Sequence, residues 1–484
     1  MEQFNWIQRN TWFQRCAALS VVLLGIICAR PAQALPIFAR QTGMACMACH
    51  TVYPELTHFG RMFKLNGYQL DNTKDIQVTT DAGAQQLAIP GLPPLAVFVQ
   101  EDYTHLSKAL PDSQVLGAKS QIDQVGFPQQ VSVLWGGKIA PHFGAFAQLT
   151  YDYSSGVGMD NTDLRFANNF VLPDKSKLTY GVSINNNPGV QDIWNTQQPF
   201  GFPYVGSEAG VGSVATPVML GGLAETVAGI SGFVMWNEQL YGEVGIYHHA
   251  PQTGVINNPI NNGAGPLDST SANVLGNNAP YWRVAYEYDV DRYALEIGAY
   301  GADFKFYPGA GTGTPLQGLT NDYRDVGEDV QLQFIGEDHI VTVKGTHIQE
   351  NISNIAAFNA VVPTTANLHD SLNYFEADAT YYYRRMIGTT WGYISTTGTT
   401  DAILYPGAPT VIGTLPVGVT NSFNSNPTTQ GYVAELNYLP WLNVKMTLQY
   451  TRYTKFNGST SNYDGLGRNA SNNDTTYLNM WFAF

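Results

Sequence analysis

Charge is scarce in this sequence: Asp, Glu, Lys and Arg make up 13% of it, about half the usual share for a soluble domain. Basic residues are the scarcer sign, 24 against 38 acidic, for a formal net charge of −14. That balance excludes a nucleic-acid binder, which needs a basic face. Long hydrophobic runs are missing after residue 34, so a membrane protein built from this chain has to be a barrel. Cysteine is limited to four. No blade-length repeat is visible, which argues against a propeller.

What is present begins with an export signal. Arg9 and Arg15 precede an apolar run from Cys16 to Cys28, and Ala32-Gln33-Ala34 places small residues at a cleavage site after Ala34. The run is too short to span a bilayer, and Ile27 is too bulky for a lipoprotein cleavage site. Residues 1–34 therefore read as a signal peptide. Its removal takes away three Arg and one Glu, leaving 21 basic and 37 acidic residues. Only two cysteines remain in the mature chain.

Those two lie in Met44-Ala45-Cys46-Met47-Ala48-Cys49-His50. Cys-x-x-Cys-His is the attachment sequence of a c-type haem. Two thiols three positions apart can add across the vinyl groups of one porphyrin, and the next residue then aims an imidazole at the iron. Cys46 and Cys49 are the expected tethers of one covalent haem c, and His50 is its expected proximal ligand. A redox dithiol would sit in a βαβ pattern, and a zinc site would need more Cys or His at ligand spacing; the sequence supplies neither context. Residues 35–70 form a compact unit with helical spacing on either side of Pro54, ending at Gly67. Thirty-six residues cannot bury a haem on both faces unaided. Residues 71–94 read as a linker ending in Ile89-Pro90-Gly91-Leu92-Pro93-Pro94.

From residue 95 onward the hydrophobic period is two. In Leu442 to Lys455 the even positions Val444, Met446, Leu448 and Tyr450 are apolar, while Asn443, Lys445, Thr447, Gln449 and Thr451 are polar. About sixteen such segments of roughly ten residues follow one another, the length a tilted strand needs to cross a bilayer. Short links at Asp289 to Arg292, Gly336 to Asp338 and Leu439 to Trp441 alternate with long ones at Asn187 to Ala224, Pro251 to Ala279 and Ala402 to Thr429. The chain ends Leu478-Asn479-Met480-Trp481-Phe482-Ala483-Phe484, which resembles the C-terminal assembly signal of outer-membrane proteins. The expected fold is mainly β: a transmembrane barrel of about sixteen strands over residues 95–484, crossing the bacterial outer membrane many times, with the short helical haem segment lodged in its lumen.

Alternation places Asp152, Glu243, Glu287, Asp289, Glu296, Asp329, Glu376, Asp378 and Glu435 inside that lumen, against Arg283, Lys344, Arg384 and Lys445. Two readings stand. The acids are solvated or paired, as in any porin interior, or they concentrate a cation such as Fe²⁺ near the haem.

Phe38-Ala39-Arg40-Gln41-Thr42-Gly43 before the haem motif and Phe59 to Tyr68 after it closely resemble the fused monohaem cytochrome–porins of acidophilic iron-oxidising bacteria. The resemblance rests on residues 36 to 68; the barrel matches only in architecture. It implies an Fe(II) oxidase that takes electrons from extracellular Fe(II) and passes them through one haem to a periplasmic cytochrome c or blue copper protein, with no Ser/His/Asp set or metal-activated water required. Cys46, Cys49 and His50 fill the family's haem positions. For the sixth ligand the residues offer Met62 and His58, twelve and eight positions after His50. Met62 is favoured because Fe(II) in acid needs a high-potential acceptor and a thioether raises the potential.

Overall fold

The computed structural model describes residues 37–70, 75–79, 86–90, 95–110, 122–152, 156–197, 205–207, 209–221, 223–224, 226–250, 274–307, 318–405, 411–412, 415–416 and 421–484. The expected signal peptide lies outside the described residues. Leu35 to Phe484 form one compact unit.

Sixteen strands make the wall. They are β1 Leu95–Leu106, β2 Asp123–Ala140, β3 Phe143–Asp152, β4 Gly156–Val171, β5 Lys177–Asn185, β6 Val227–Trp236, β7 Leu240–His249 and β8 Ala279–Val290. Then follow β9 Tyr293–Tyr307, β10 Asn321–Ile335, β11 His339–Ser353, β12 His369–Tyr383, β13 Ile387–Gly398, β14 Thr429–Trp441, β15 Val444–Lys455 and β16 Thr475–Ala483. Each pairs antiparallel with its sequence neighbours. The last strand pairs with the first, from Thr475 opposite Leu106 to Ala483 opposite Phe98, which closes the cylinder. A two-residue strand, Val274–Leu275, adds to β9 without entering the closure.

The exterior is greasy and the interior polar, the reverse of a soluble barrel. On β15, Met446, Leu448 and Tyr450 are 37–45% exposed, whereas Lys445, Thr447 and Gln449 are 7% exposed or less. The same inversion on β6 turns Ile230, Val234 and Trp236 outward. Such a surface is stable only against lipid, and closing the sheet leaves no unpaired edge within the bilayer. The chain is an outer-membrane β-barrel.

Seven connections of two to five residues lie at one end of the barrel, together with the start of β1 and the end of β16. Short turns mark the periplasmic end. The turn expected at Leu439 to Trp441 falls two residues later, at Leu442-Asn443, because pairing continues to Trp441 opposite Val444. The stretch read as a linker is not all irregular: residues 75–79 and 86–90 pair as a small antiparallel hairpin.

Inside the wall sit three short helices, α1 Ile37–Thr42, α2 Cys46–Cys49 and α3 His58–Leu65. They form a plug at the short-turn end. Two buried charges tie it to the barrel with opposite polarity. Glu55 of the plug meets Lys344 of β11, Oε1 to Nζ 3.8 Å, and accepts from Thr342 Oγ1 at 2.7 Å. Arg61 of α3 meets Glu287 of β8, with Nε 3.0 Å from Oε2, and donates to Gln333 Oε1 at 3.0 Å. Apolar contacts fill the remainder: Phe38 and Tyr68 pack with Phe63 of the plug and with Phe146 of the wall, and Val52 with Ile340, Tyr382 and Leu439.

Candidate functional site

The haem-motif residues are held by a compact local fold. Cys46 to Cys49 make one helical turn, closed by the His50 N–H on the Cys46 carbonyl at 2.9 Å. The chain then folds back, so that His50 bridges Leu56 and the Thr57 N–H reaches the Cys49 carbonyl at 2.9 Å. Thr57 caps α3 by accepting from the Gly60 N–H at 3.1 Å, and its hydroxyl donates to the Ala48 carbonyl at 2.8 Å. Gly60 is required at the crossing, because an added Cβ would collide with the Cys49 carbonyl oxygen. Gly67, at φ +71°, ends α3 in a Schellman motif, with Gly67 N–H on Lys64 O and Tyr68 N–H on Phe63 O.

Cys46, Cys49 and His50 all line one cavity of about 260 Å³ between the plug and the wall. Its lining is mostly apolar, with Phe38 and Phe63 from the plug and Phe98, Leu134, Phe146 and Leu439 from the barrel. His50 Nδ1 lies 3.2 Å from the Glu55 carbonyl oxygen and 3.3 Å from that of Pro54. Carbonyls only accept, so Nδ1 carries the proton and Nε2 keeps its lone pair. This is the tautomer of a metal-ligating histidine whose other nitrogen is fixed by a carbonyl. Burial lowers the His50 pKa despite those two acceptors, which keeps the imidazole neutral. Burial pushes both thiols up, Cys49 to about 11 with Cys46 adding to the effect. They are protonated at neutral pH, unlike the thiolates of a reactive dithiol or a zinc site. Donor set, tautomer and apolar lining fit a haem held by two thioethers and one imidazole.

The two sixth-ligand candidates stand elsewhere. At 100° per residue, α3 turns Gly60, Phe63 and Lys64 to the cavity and His58, Arg61, Met62 and Leu65 to the opposite side. Met62 is buried with Leu65, Ile193, Trp194, Phe233 and Met235. His58 is caught between carboxylates, Nδ1 2.9 Å from Glu287 Oε1 and Nε2 3.5 Å from Glu238 Oε2. Burial alone would depress His58, but the hydrogen bonds to Glu238 and Glu287 outweigh it and hold its pKa at about 9. His58, Glu287 and Asp289 approach one another at ligand distances. The Arg61 guanidinium on Glu287 and the proton on His58 make this an ion-pair network, which a cation could enter only by displacing both.

Most lumen charges expected from alternation point inward, and several are cross-paired. Glu243, Glu287, Glu296, Asp329, Glu376, Asp378 and Glu435 are buried, as are Arg283, Lys344 and Lys445. Arg283 lies 2.6 Å from Asp329, 3.2 Å from Glu296 and 3.5 Å from Asp192. Lys344 serves Glu55 and Asp378. This pattern matches the paired reading of the acids. Asp152 is half-buried and Asp289 exposed, at strand ends where alternation loses its meaning. Arg384 is not a lumen base: it sits exposed in the turn after β12 on Asp338, at 3.0 Å. Arg385 reaches inward instead, donating to the Thr51 carbonyl at 2.8 Å and the His50 carbonyl at 3.2 Å.

The segment after β5, read from the sequence as one of the long links, enters the lumen. Pro188 to Gln197 is nearly all buried, and Trp194 donates its Nε1–H to Glu287 Oε2 at 2.7 Å. Asn195 donates to the Pro54 carbonyl at 3.2 Å, beside the group that orients His50. Further on, the Val218 and Met219 N–H groups reach Glu350 and Asp325 at 2.7 and 2.8 Å. None of these partners was legible beforehand. One signal was available: Glu55 is the sole acid in residues 35–70, an unusual place for a charge without a dedicated partner.

Fold and site together define an outer-membrane β-barrel closed from within by a helical segment that presents Cys46, Cys49 and His50 to a single apolar cavity. No protein-family model and no curated protein matches the sequence. Among solved structures, the outer membrane channel DcaP of Acinetobacter baumannii is similar at 9% identity over 81% of this chain and 96% of that one, with a TM-score of 0.43. The anion-selective porin from Comamonas acidovorans is similar at 11% identity over 81% and 98%, with a TM-score of 0.42. OmpT of Vibrio cholerae, in its trimer form, is similar at 9% over 81% and 98%, with a TM-score of 0.42. These are likenesses of the barrel alone; the fold assignment rests on the closed strand ladder and its lipid-facing surface.

Proposed function

We propose that this protein is an outer-membrane electron conduit: a monohaem c-type cytochrome housed in a barrel, taking electrons from extracellular Fe(II) and passing them to a periplasmic carrier. The observation that carries the haem is the convergence of Cys46, Cys49 and His50 on one apolar cavity, with His50 Nδ1 fixed on carbonyls. The donor and the acceptor, a soluble cytochrome c or a blue copper protein, follow from the resemblance of residues 36–68 to the iron-oxidising cytochrome–porins.

A haem bound there would supply one-electron exchange between ferrous and ferric iron. The chain's own residues do the remainder. Cys46 and Cys49 would tether the ring, and His50 would ligate its iron through Nε2. The aromatic lining excludes water. Thr51, Glu55, Lys344 and Arg385 fix the loop that carries His50 to the wall. The cavity borders the start of β1, the turns after β12 and β14, and the end of β16, a position suited to delivery on the periplasmic side. The inserted segment after β5 occupies the lumen beyond it, which favours moving electrons over moving iron.

Adding Fe(II) to oxidised, purified protein should give reduced haem bands within seconds, and liposomes carrying the intact chain should leak little. A second reading, a haem-plugged porin for gated transport or outward electron delivery, is favoured by the strand number, since sixteen strands enclose an aqueous channel in porins. Fast ion conductance without haem reduction by Fe(II) would select it.

A further inference from the structure

One buried donor at the cavity lacks an acceptor. Several buried side-chain polar atoms among the described residues have no hydrogen-bond partner, yet only Trp481, through its Nε1–H, belongs to a residue that lines the cavity. Trp481 is 4% exposed, with its ring packed edge-on against Phe98 at 5.2 Å and Tyr53 at 5.5 Å. An indole nitrogen is a donor only, and a donor enclosed without an acceptor destabilises the fold unless a ligand satisfies it. Lys445, also buried and also lining the cavity, carries its ammonium 4.8 Å above the Trp481 ring. Both come from adjacent strands, with Lys445 of β15 directly opposite Trp481 of β16. On this side the mostly apolar cavity offers a neutral donor and a cation, the latter also in the field of Glu435 and Glu55, while its other cations, Lys64 and Arg385, come from α3 and from the turn after β12. The combination suits a ligand carboxylate, which accepts hydrogen bonds and can be buried only beside a positive charge.

Resting on the haem reading above, we infer that Trp481 and Lys445 form a carboxylate subsite that takes a propionate of the porphyrin, turning the propionate edge toward the β15–β16 wall. Neither residue touches the iron; both act as positioning residues. A propionate neutralised by Lys445 and hydrogen-bonded to Trp481 places less uncompensated negative charge beside the ferric state, which raises the reduction potential of the iron.

The test uses the full holo chain with Trp481→Phe, which keeps an aromatic ring and deletes the N–H, and Lys445→Met, which keeps the stem and deletes the charge. Resonance Raman propionate bending bands and the pH dependence of the haem potential are read for each. In both variants the bending bands should shift, the potential should fall, and the inflection of the potential–pH curve should move to higher pH, more for Lys445→Met. Wild-type bands and an unmoved curve in both variants, with haem still covalently attached, would overturn the subsite and leave the haem reading intact. A correctly exported wild-type chain whose mass contains no haem would end both. Should Trp481→Phe fail to insert, Lys445→Met alone decides through the same bands.

Discussion

Helix α3 has two faces with different work. The face carrying Gly60, Phe63 and Lys64 looks into the cavity, while His58, Arg61, Met62 and Leu65 grip the barrel and the inserted segment at Trp194. Both faces carry residues that could serve a haem by chemistry alone. The thioether and the imidazole that looked best suited to the sixth position lie on the gripping face. Ligand chemistry names candidates, and helical phase sorts them.

The largest effect should come from the cavity side. Replacing Cys46 and Cys49 by Ser should abolish covalent haem, read as apoprotein mass and loss of haem-linked absorbance in denatured samples. On the gripping face, Arg61→Met leaves Glu287 buried without its guanidinium, a loss of about 3–5 kcal/mol for breaking a buried pair. Denaturant titration in detergent and faster proteolysis of residues 37–70 would show it.

Met62→Ala should cost about 2–5 kcal/mol through the void it leaves and leave the haem spectrum and potential unchanged. A changed spectrum would return Met62 to the iron and break the contrast between the faces. The pH dependence sharpens the same contrast. His58 has a folded pKa of about 9, raised from 6.5, so its contribution is complete below pH 6.5 and lost as pH rises through 9. Its partner Glu238 is held at about 2, down from 4.5, by the His58 hydrogen bond, so that side of the pair is complete above pH 4.5 and lost as pH falls from there through 2. Plug stability should therefore decline between pH 6.5 and 9, and His58→Gln should flatten the decline. The smallest effects separate neighbours in one turn: Arg385→Ala should loosen the His50 loop and broaden the haem spectrum, whereas Arg384→Ala, exposed on Asp338, should change neither stability nor spectrum.

The barrel was legible because its signal is repeated. A period of two over sixteen segments survives the loss of any one of them, and alternation correctly turned Arg283, Glu287, Lys344 and Asp378 inward. It failed at strand ends, where Arg384 and Asp289 leave the regular pleat. The inserted segment escaped for another reason. Asn187 to Ala224 has the Gly, Asn and Pro of a surface loop, and nothing local distinguishes Trp194 seated on Glu287 from a tryptophan facing solvent.

Covalent chemistry and strand pattern were thus set by the sequence itself: two thiols at fixed spacing, an adjacent imidazole, and an apolar–polar alternation that demands lipid on one face. The free nitrogen of His50 is set locally, by the Pro54 and Glu55 carbonyls, but which acids meet which bases and where Met62 points depend on groups far apart in the chain. Those were decided only when the sheet closed, because closure brings Glu287, Lys344, Arg385 and Trp481 to a segment that ends at residue 70.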